Sequence, residues 1–308
     1  MPPQSSETKD QTVVTAAALV IGDEILSGRI REKNAGHLAA VVTAIGIDLK
    51  EIRVVGDDEA AIIEAVNALR ARYTYVFTSG GIGPTHDDIT ADAVAKAFGL
   101  PCDHDPAAMK LLGDFYAGRG IEFTASRKRM ARMPEGAAHI DNPVSVAPGF
   151  VVGNVHVMAG VPAVFQAMLD NVVPTLRTGR VLLSRSVHCP FGEGTIGEPL
   201  AKLQDAWPDI AIGSYPKHDS GKFWTELVLR GSDETRLEEA QAAVAALVAE
   251  LRQVVALMHR ALEGESLDEA LSACLDRLAA FAGDAATPAT LVDPVHPREL
   301  PETLVPDE

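Results

Sequence analysis

Apolar positions change their period along the chain, and each change marks an element. Residues 13–21 are almost continuously apolar and stop at Gly22-Asp23, as a parallel strand buried on both faces does. Between Asn34 and Ile45, the residues Leu38, Val41, Val42 and Ile45 recur at helical spacing, and Gly46 is placed to end the helix. Residues 47–55 read as a second strand. Asp58 is placed to cap a helix whose apolar face is Ile62, Ile63, Val66 and Leu69. Residues 73–78 read as a third, short strand. A glycine-rich loop follows at once, then a helix that Thr90 can cap and that ends near Gly99. This rhythm predicts an α/β fold, a three-layer, mostly parallel sheet with helices on both faces.

Asp105-Pro106 opens a further helix by the cap-then-proline rule. Residues 124–133 are basic, with Arg127, Lys128, Arg129 and Arg132. Val151-Val152, the turn Gly153-Asn154 and residues 155–158 read as a β-hairpin, and Pro162 opens a helix running to about Leu176. A second, smaller α+β unit starts near Arg180, with strands at 181–188, 210–215 and 223–229 and helices at 196–207 and 234–251. Residues 267–281 have helical character. After Ala285 the sequence is rich in proline and acids, the composition of a disordered tail. The expected organisation is a disordered start over 1–12, a first domain over 13–176, a small domain over 177–258, then a helix and tail over 259–308.

Composition narrows the partners. The 308 residues suit two domains of about 150 residues each. There are 43 acidic residues against 27 basic ones, a net charge of −16, which argues against a nucleic-acid partner because counterion replacement needs clustered cations. No apolar run is long enough for a membrane span, and the polar residues 1–12 do not resemble a secretory signal. Cys102, Cys189 and Cys274 are odd in number and form no CxxC pair, which fits a reducing compartment. The expectation is a cytoplasmic protein with no membrane partner.

Candidate chemistry gathers at predicted strand ends. The loop runs Thr78-Ser79-Gly80-Gly81-Ile82-Gly83-Pro84-Thr85-His86-Asp87-Asp88-Ile89-Thr90. Such a loop at a carboxyl strand end can aim backbone N–H groups at a phosphate, or it can be a tight turn that only needs glycine. Asp87 and Asp88 would repel a phosphate unless a cation such as Mg²⁺ bridged them, or they could simply supply charge to the next helix. Gly22-Asp23-Glu24 ends the first strand and Gly56-Asp57-Asp58 the second, so a parallel sheet delivers acids to one edge three times. The basic segment Arg127 to Arg132 reads as a helix, whose charge could offset ligand phosphates or be a solvated face. The histidines lack metal-ligand spacing, and no Ser-His-Asp arrangement can be argued.

Several blocks in order carry a family resemblance. Gly22-Asp23-Glu24-Ile25-Leu26, Asn34, Asp57, residues 79–85 and Asp88-Ile89-Thr90 resemble the molybdopterin-binding domain of competence/damage-inducible protein A (CinA), and the N-terminal domain of eukaryotic FAD synthase is similar. Arg129-Met130-Ala131, residues 134–137, Asn142-Pro143, residues 147–150 and Gly160-Val161-Pro162 continue it. Ser214-Tyr215-Pro216 and the strand at 223–229 resemble the small second domain of CinA-like proteins. The resemblance implies a MogA/MoaB-like fold and action on pyrophosphate bonds of ADP-ribose or FAD type, with Asp88 and Asp57 catalytic. It further implies a divalent metal held by Asp88, Asp57 and Asp87, and a nucleotide or pterin ligand contacted by Gly22, Asp23, Glu24, Ser79, Gly80, Gly81, Gly83, Pro84, Thr85, Asn142, Gly149, Gly160 and Pro162. A homodimer is also implied. The alternatives are molybdopterin binding, adenylyl transfer to molybdopterin, and a non-catalytic module. Asp87 stands where the adenylyltransferases tend to carry Arg, which weighs against adenylyl transfer. Too little chain follows Leu267 for the amidase domain of full-length CinA proteins.

Overall fold

The computed structural model describes residues 13–262, so the predicted start, the helix at 267–281 and the tail lie outside it. The described chain divides into two compact units. The first runs to Ser184 and includes Arg230–Glu234, and the second takes Arg185–Leu229 and the chain from Thr235.

The first unit is built on a six-stranded sheet. Its strands are β1 (Val14–Ile21), β2 (Ile47–Val55), β3 (Tyr75–Ser79), β6 (Ala138–Ile140), β7 (Gly149–Val152) and β8 (Val155–Met158), in the order β2-β1-β3-β8-β7-β6. β4 (Cys102–His104) and β5 (Arg132–Pro134) form a separate antiparallel pair. β2, β1, β3 and β8 are parallel, β7 turns back antiparallel to β8, and β6 pairs antiparallel with β7 and so returns to the common direction. The sheet is therefore mixed, with the predicted parallel part carrying the first three strands.

The unbroken apolar run of β1, which leads into the one-turn helix α1 (Asp23–Leu26), has a direct cause. Ala17, Leu19 and Ile21 pack against α3 (Glu59–Arg72) and α4 (Thr90–Phe98), while Ala16, Ala18 and Val20 pack against α2 (Asn34–Ala44) and α7 (Pro162–Val172). Both faces are covered, so neither can be polar. Local chemistry sets several ends. Asp58 accepts the Ala61 N–H at 2.8 Å to cap α3, and Asp105 accepts the Ala108 N–H at 2.8 Å to cap α5 (Pro106–Ala117). Caps of this kind contribute about 1 kcal/mol each.

Two expectations are corrected. Thr90 does not cap α4: it is the first helical residue, and Ile89 holds the cap position without a side-chain bond. The basic segment is not one helix. It breaks into α6 (Ala125–Lys128), a 3₁₀ turn over Arg129–Ala131 and β5, because Arg132 is drawn to Asp92 as an ion pair.

His156 of β8 is buried between Tyr75 and Phe77, and its Nδ1 has no hydrogen-bond partner. Burial pushes its pKa down to about 4. The unfolded chain binds this proton near pH 6.5 and the folded one does not, so stability present above pH 6.5 is lost as pH falls toward 4. The loss from this group amounts to about 3 kcal/mol. Urea titrations from pH 7.5 to 4 should show it, and His156→Phe should flatten that part of the profile. An unchanged slope in the variant would refute this account.

The second unit holds β9 (Leu183–Cys189), β10 (Ala211–Asp219) and β11 (Lys222–Gly231) in the order β10-β11-β9, with α8 (Glu193–Ala206) and α9 (Glu234–Leu262). Ser220 and Gly221, both at positive φ, make the two-residue turn between β10 and β11. α9 is long and apolar enough over Glu234–Met258 to cross a membrane by length and composition. Its buried residues Leu237, Ala240, Val244, Leu247, Val248 and Leu251 nevertheless recur every three or four positions, the stripe of a helix lying on a packed face.

Candidate functional site

Because β1, β2 and β3 are parallel, their carboxyl ends meet at one edge, as the acidic strand ends required. Gly22 N–H bonds the Val55 carbonyl at 3.0 Å, drawing the ends of β1 and β2 together. Asp23 N–H donates to Asp57 Oδ2 at 3.0 Å, and Asp57 N–H donates to Asp23 Oδ1 at 3.3 Å. Burial pushes the Asp57 carboxyl above the usual range against the bond from Asp23, and the charges of Asp23, Glu24 and Asp87 push the same way.

The glycine loop is fixed at both ends. Gly80 N–H bonds the Met158 carbonyl at 3.1 Å; Thr90 donates its N–H to Gly81 O and its hydroxyl to Gly80 O, each at 3.0 Å. Thr90 is thus a staple on the loop. Gly80 (φ 112) approaches the Ile21 carbonyl so closely that a Cβ would lie 2.2 Å from its oxygen, and at Gly81 (φ 70) a Cβ would lie 2.0 Å from Thr90 Oγ1. With Gly80 N–H engaged, Gly81, Ile82 and Gly83 keep backbone N–H groups without a partner among the described residues. Farther along, Asp88 Oδ2 accepts the Thr85 N–H at 2.8 Å and also the Thr85 hydroxyl. Arg129 clasps the same turn, with Nε to Thr85 O and Nη2 to Asp88 O, both at 3.0 Å.

The basic segment therefore serves the loop through Arg129, not through free charge facing a ligand. Arg127 lies over the Tyr116 ring, Lys128 over Phe123, and Arg132 pairs with Asp92.

A cavity of about 440 Å³ opens above the loop. Among the candidates, Glu24, Ser79, Gly80, Gly81, Gly83, Pro84, Asp88, Asn142, Gly160 and Pro162 line it. Gly22, Asp23, Asp57, Thr85 and Asp87 are outside its lining, beside it at the same sheet edge. Gly149 is corrected: it sits in β7, where a Cβ would lie 2.4 Å from Val157 O, so it is a packing glycine away from the cavity.

Asn142 is a wall builder. Its Oδ1 accepts the N–H groups of Val144 and Ser145, each at 3.1 Å, and its Nδ2 donates to Ser145 Oγ at 2.6 Å and Ala147 O at 2.8 Å. These bonds hold Val146 at φ 68, a left-handed conformation costly for a β-branched residue. Asn142→Ala should cost about 2–3 kcal/mol in stability by chemical denaturation, because two backbone N–H groups lose their acceptor. A change below about 0.5 kcal/mol would show the wall to be self-supporting.

Sequence reasoning left several lining residues unassigned, among them the polar Asn34, Arg31 and Lys33. Asn34, noted only as a family match, donates from Nδ2 to Ser79 Oγ and to Gly160 O, both at 2.8 Å, tying α2 to the glycine loop and to the turn before α7. Arg31 and Lys33 also line the cavity. Two cations just ahead of a predicted helix in an acidic chain were the available signal.

Comparison with known proteins agrees with this architecture. Residues 17–178 match the family model described as "Probable molybdopterin binding domain", and residues 181–257 match "FAD synthase, middle domain". The chain belongs to the molybdopterin-binding domain family. A protein of Pyrobaculum arsenaticum is 35% identical over 206 residues, 64% of this chain and 78% of the relative. A CinA-like protein of Desulfosudis oleivorans is 36% identical over 209 residues, 64% of this chain but only 51% of that protein, so the matched stretch spans about half of that relative. The crystal structure of CinA from Thermoplasma acidophilum, described as of unknown function, shares 32% identity over 53% of this chain and 98% of its own, with a TM-score of 0.49.

Proposed function

We propose that the first unit binds a phosphorylated nucleotide-like ligand and hydrolyses a pyrophosphate bond, of the ADP-ribose or FAD type, with a divalent cation. The observation that carries this reading is the set of unpartnered N–H groups at Gly81, Ile82 and Gly83, residues that line a 440 Å³ cavity, with the carboxylate of Asp88 pinned beside them. N–H groups so arranged bind an anion. The start of α7 adds its own free N–H groups and positive dipole end.

The oxygen-only donors suit a hard cation, which would also offset the burial and the neighbouring carboxylates that raise Asp57. Among the described residues no three His, Cys, Asp or Glu side chains converge as a closed metal site. A cation would therefore be shared, held by Asp88 and Asp57, with Asp87 alongside, and by the ligand's phosphate oxygens. Its chemistry when bound would be to offset charge on the phosphate and activate water. The chain's own groups do the rest: the loop N–H groups orient the phosphate, Thr85 and Arg129 hold Asp88 in place, and Ile82, Met130 and Val161 give the cavity apolar wall for a planar ring.

Pure protein incubated with ADP-ribose or FAD and Mg²⁺, Mn²⁺ or Co²⁺ should release AMP. Absence of AMP with every metal would overturn hydrolysis. The family match favours one other reading, binding of molybdopterin or adenylyl transfer to it, and product analysis separates the two by whether AMP ends on water or on a pterin.

A further inference from the structure

We infer that Arg31 and Lys33 form a second anion subsite, taking a distal phosphate of a ligand whose first phosphate sits on the glycine loop. The inference rests on the nucleotide reading above and narrows its ligand class to one that carries, besides the phosphate on the glycine loop, a further phosphate set apart from it, which ADP-ribose and FAD themselves lack.

Both side chains line the cavity and are exposed. Neither makes an ion pair or hydrogen bond among the described residues. Elsewhere in the unit Lys50, Arg53, Arg72, Lys96, Lys110 and Arg132 pair with acids, whereas Arg31 and Lys33 are unpaired cations that line the cavity. In a chain with 43 acids and 27 bases, cations left unpaired are not short of partners.

Local structure explains why they stay free. Glu32, between them, turns to the start of α2, where its Oε1 accepts the N–H groups of Asn34 at 2.7 Å and Ala35 at 2.9 Å. The acid between them is thereby spent on the helix, so α2 offers no anion site of its own and Glu32 does not pair with Arg31 or Lys33. The next residue, Asn34, bonds Ser79 and Gly160, which fixes the cationic segment beside the glycine loop. Asn34 Oδ1 is buried without a partner, and Asn34 lines the same cavity. A buried acceptor left without a donor is costly, and Asn34 would gain one from a ligand hydroxyl or N–H only if its side chain turned toward the cavity.

The test is binding of AMP and adenosine 3′,5′-bisphosphate, which differ only by the distal phosphate, to the full chain by calorimetry. The wild type should bind the bisphosphate about tenfold more tightly, a preference that shrinks with salt. Arg31→Gln with Lys33→Gln should abolish the preference and leave AMP affinity unchanged. Arg29→Gln removes the same charge from the same segment but off the cavity lining, and should leave the preference intact. Inorganic triphosphate, which has no base, separates the two hypotheses. If no adenine compound binds but triphosphate binds the wild type more tightly than the double variant, the subsite stands and the nucleotide reading falls. Equal binding of wild type and double variant to every probe overturns the subsite, as does an equal loss for AMP and bisphosphate.

Discussion

Asp88→Asn should lower AMP release by on the order of a hundredfold, about 2.7 kcal/mol of transition-state stabilisation, with a much smaller effect on stability. Asp88 is half-buried, lines the cavity, and is aimed by the N–H and hydroxyl of Thr85. Asn retains an oxygen for the Thr85 N–H, so the turn can persist while the charge is lost. A merely structural Asp88 would predict the reverse, a stability change of about 1 kcal/mol and unaltered turnover. Asp87→Asn is the control. Asp87 is exposed and outside the lining, and hydrogen bonding from Thr85 and its own backbone, with His86 and Arg129 nearby, holds its carboxyl below the usual range. Its loss should cost turnover severalfold at most. Equal small effects at both positions would mean that the acidic pair only shapes the loop.

Where burial on two faces left an unmistakable period, the sequence was readable. β1, β2 and α2 fall within one residue of their expected ends, because a run such as Val14–Ile21 has few other uses. Asp58 and Asp105 were legible as caps since their bonds reach only three residues ahead. The errors came from long-range partners. Thr90 looked like a cap by position, but its hydroxyl goes to Gly80. The basic stretch looked like one helix, but Arg132 answers to Asp92 forty residues earlier and β5 answers to β4. Neither pairing leaves a trace in local spacing.

The site divided in the same way. That acids would collect at one edge followed from strand order, which the parallel pattern supplied. The assignment of roles within that edge did not follow. Asn142 matched a family block, yet its side chain is consumed by its own loop. Gly149 matched another, yet answers to Val157 O across a strand pair. Arg129 lay within a segment read as undivided charge, and only the fold shows it clasping Thr85 and Asp88. A motif reports that a residue matters; contact with the cavity decides whether it touches ligand.

Two neighbouring glycines should fail in opposite ways when changed to alanine. At Gly80 the added Cβ would lie 2.2 Å from the Ile21 carbonyl oxygen, and φ 112 is a conformation that L side chains rarely adopt. The obstacle is backbone at the end of β1, with Leu19 and Ile21 buried in the core behind it. It can yield only by moving the strand, so Gly80→Ala should cost about 3 kcal/mol or more in chemical denaturation. At Gly83 φ is ordinary, and the obstacle is the Asp88 carboxylate, 2.7 Å from the built Cβ. That side chain can rotate away, so Gly83→Ala should cost about 1 kcal/mol or less in stability. The rotation, however, breaks the contact with Thr85 that aims Asp88. Gly83→Ala should therefore approach the turnover loss of Asp88→Asn, and the double variant should be little worse than either single change, since both disable one group. Additive losses in the double variant would place the effect of Gly83 in its own backbone contact with phosphate, not in Asp88.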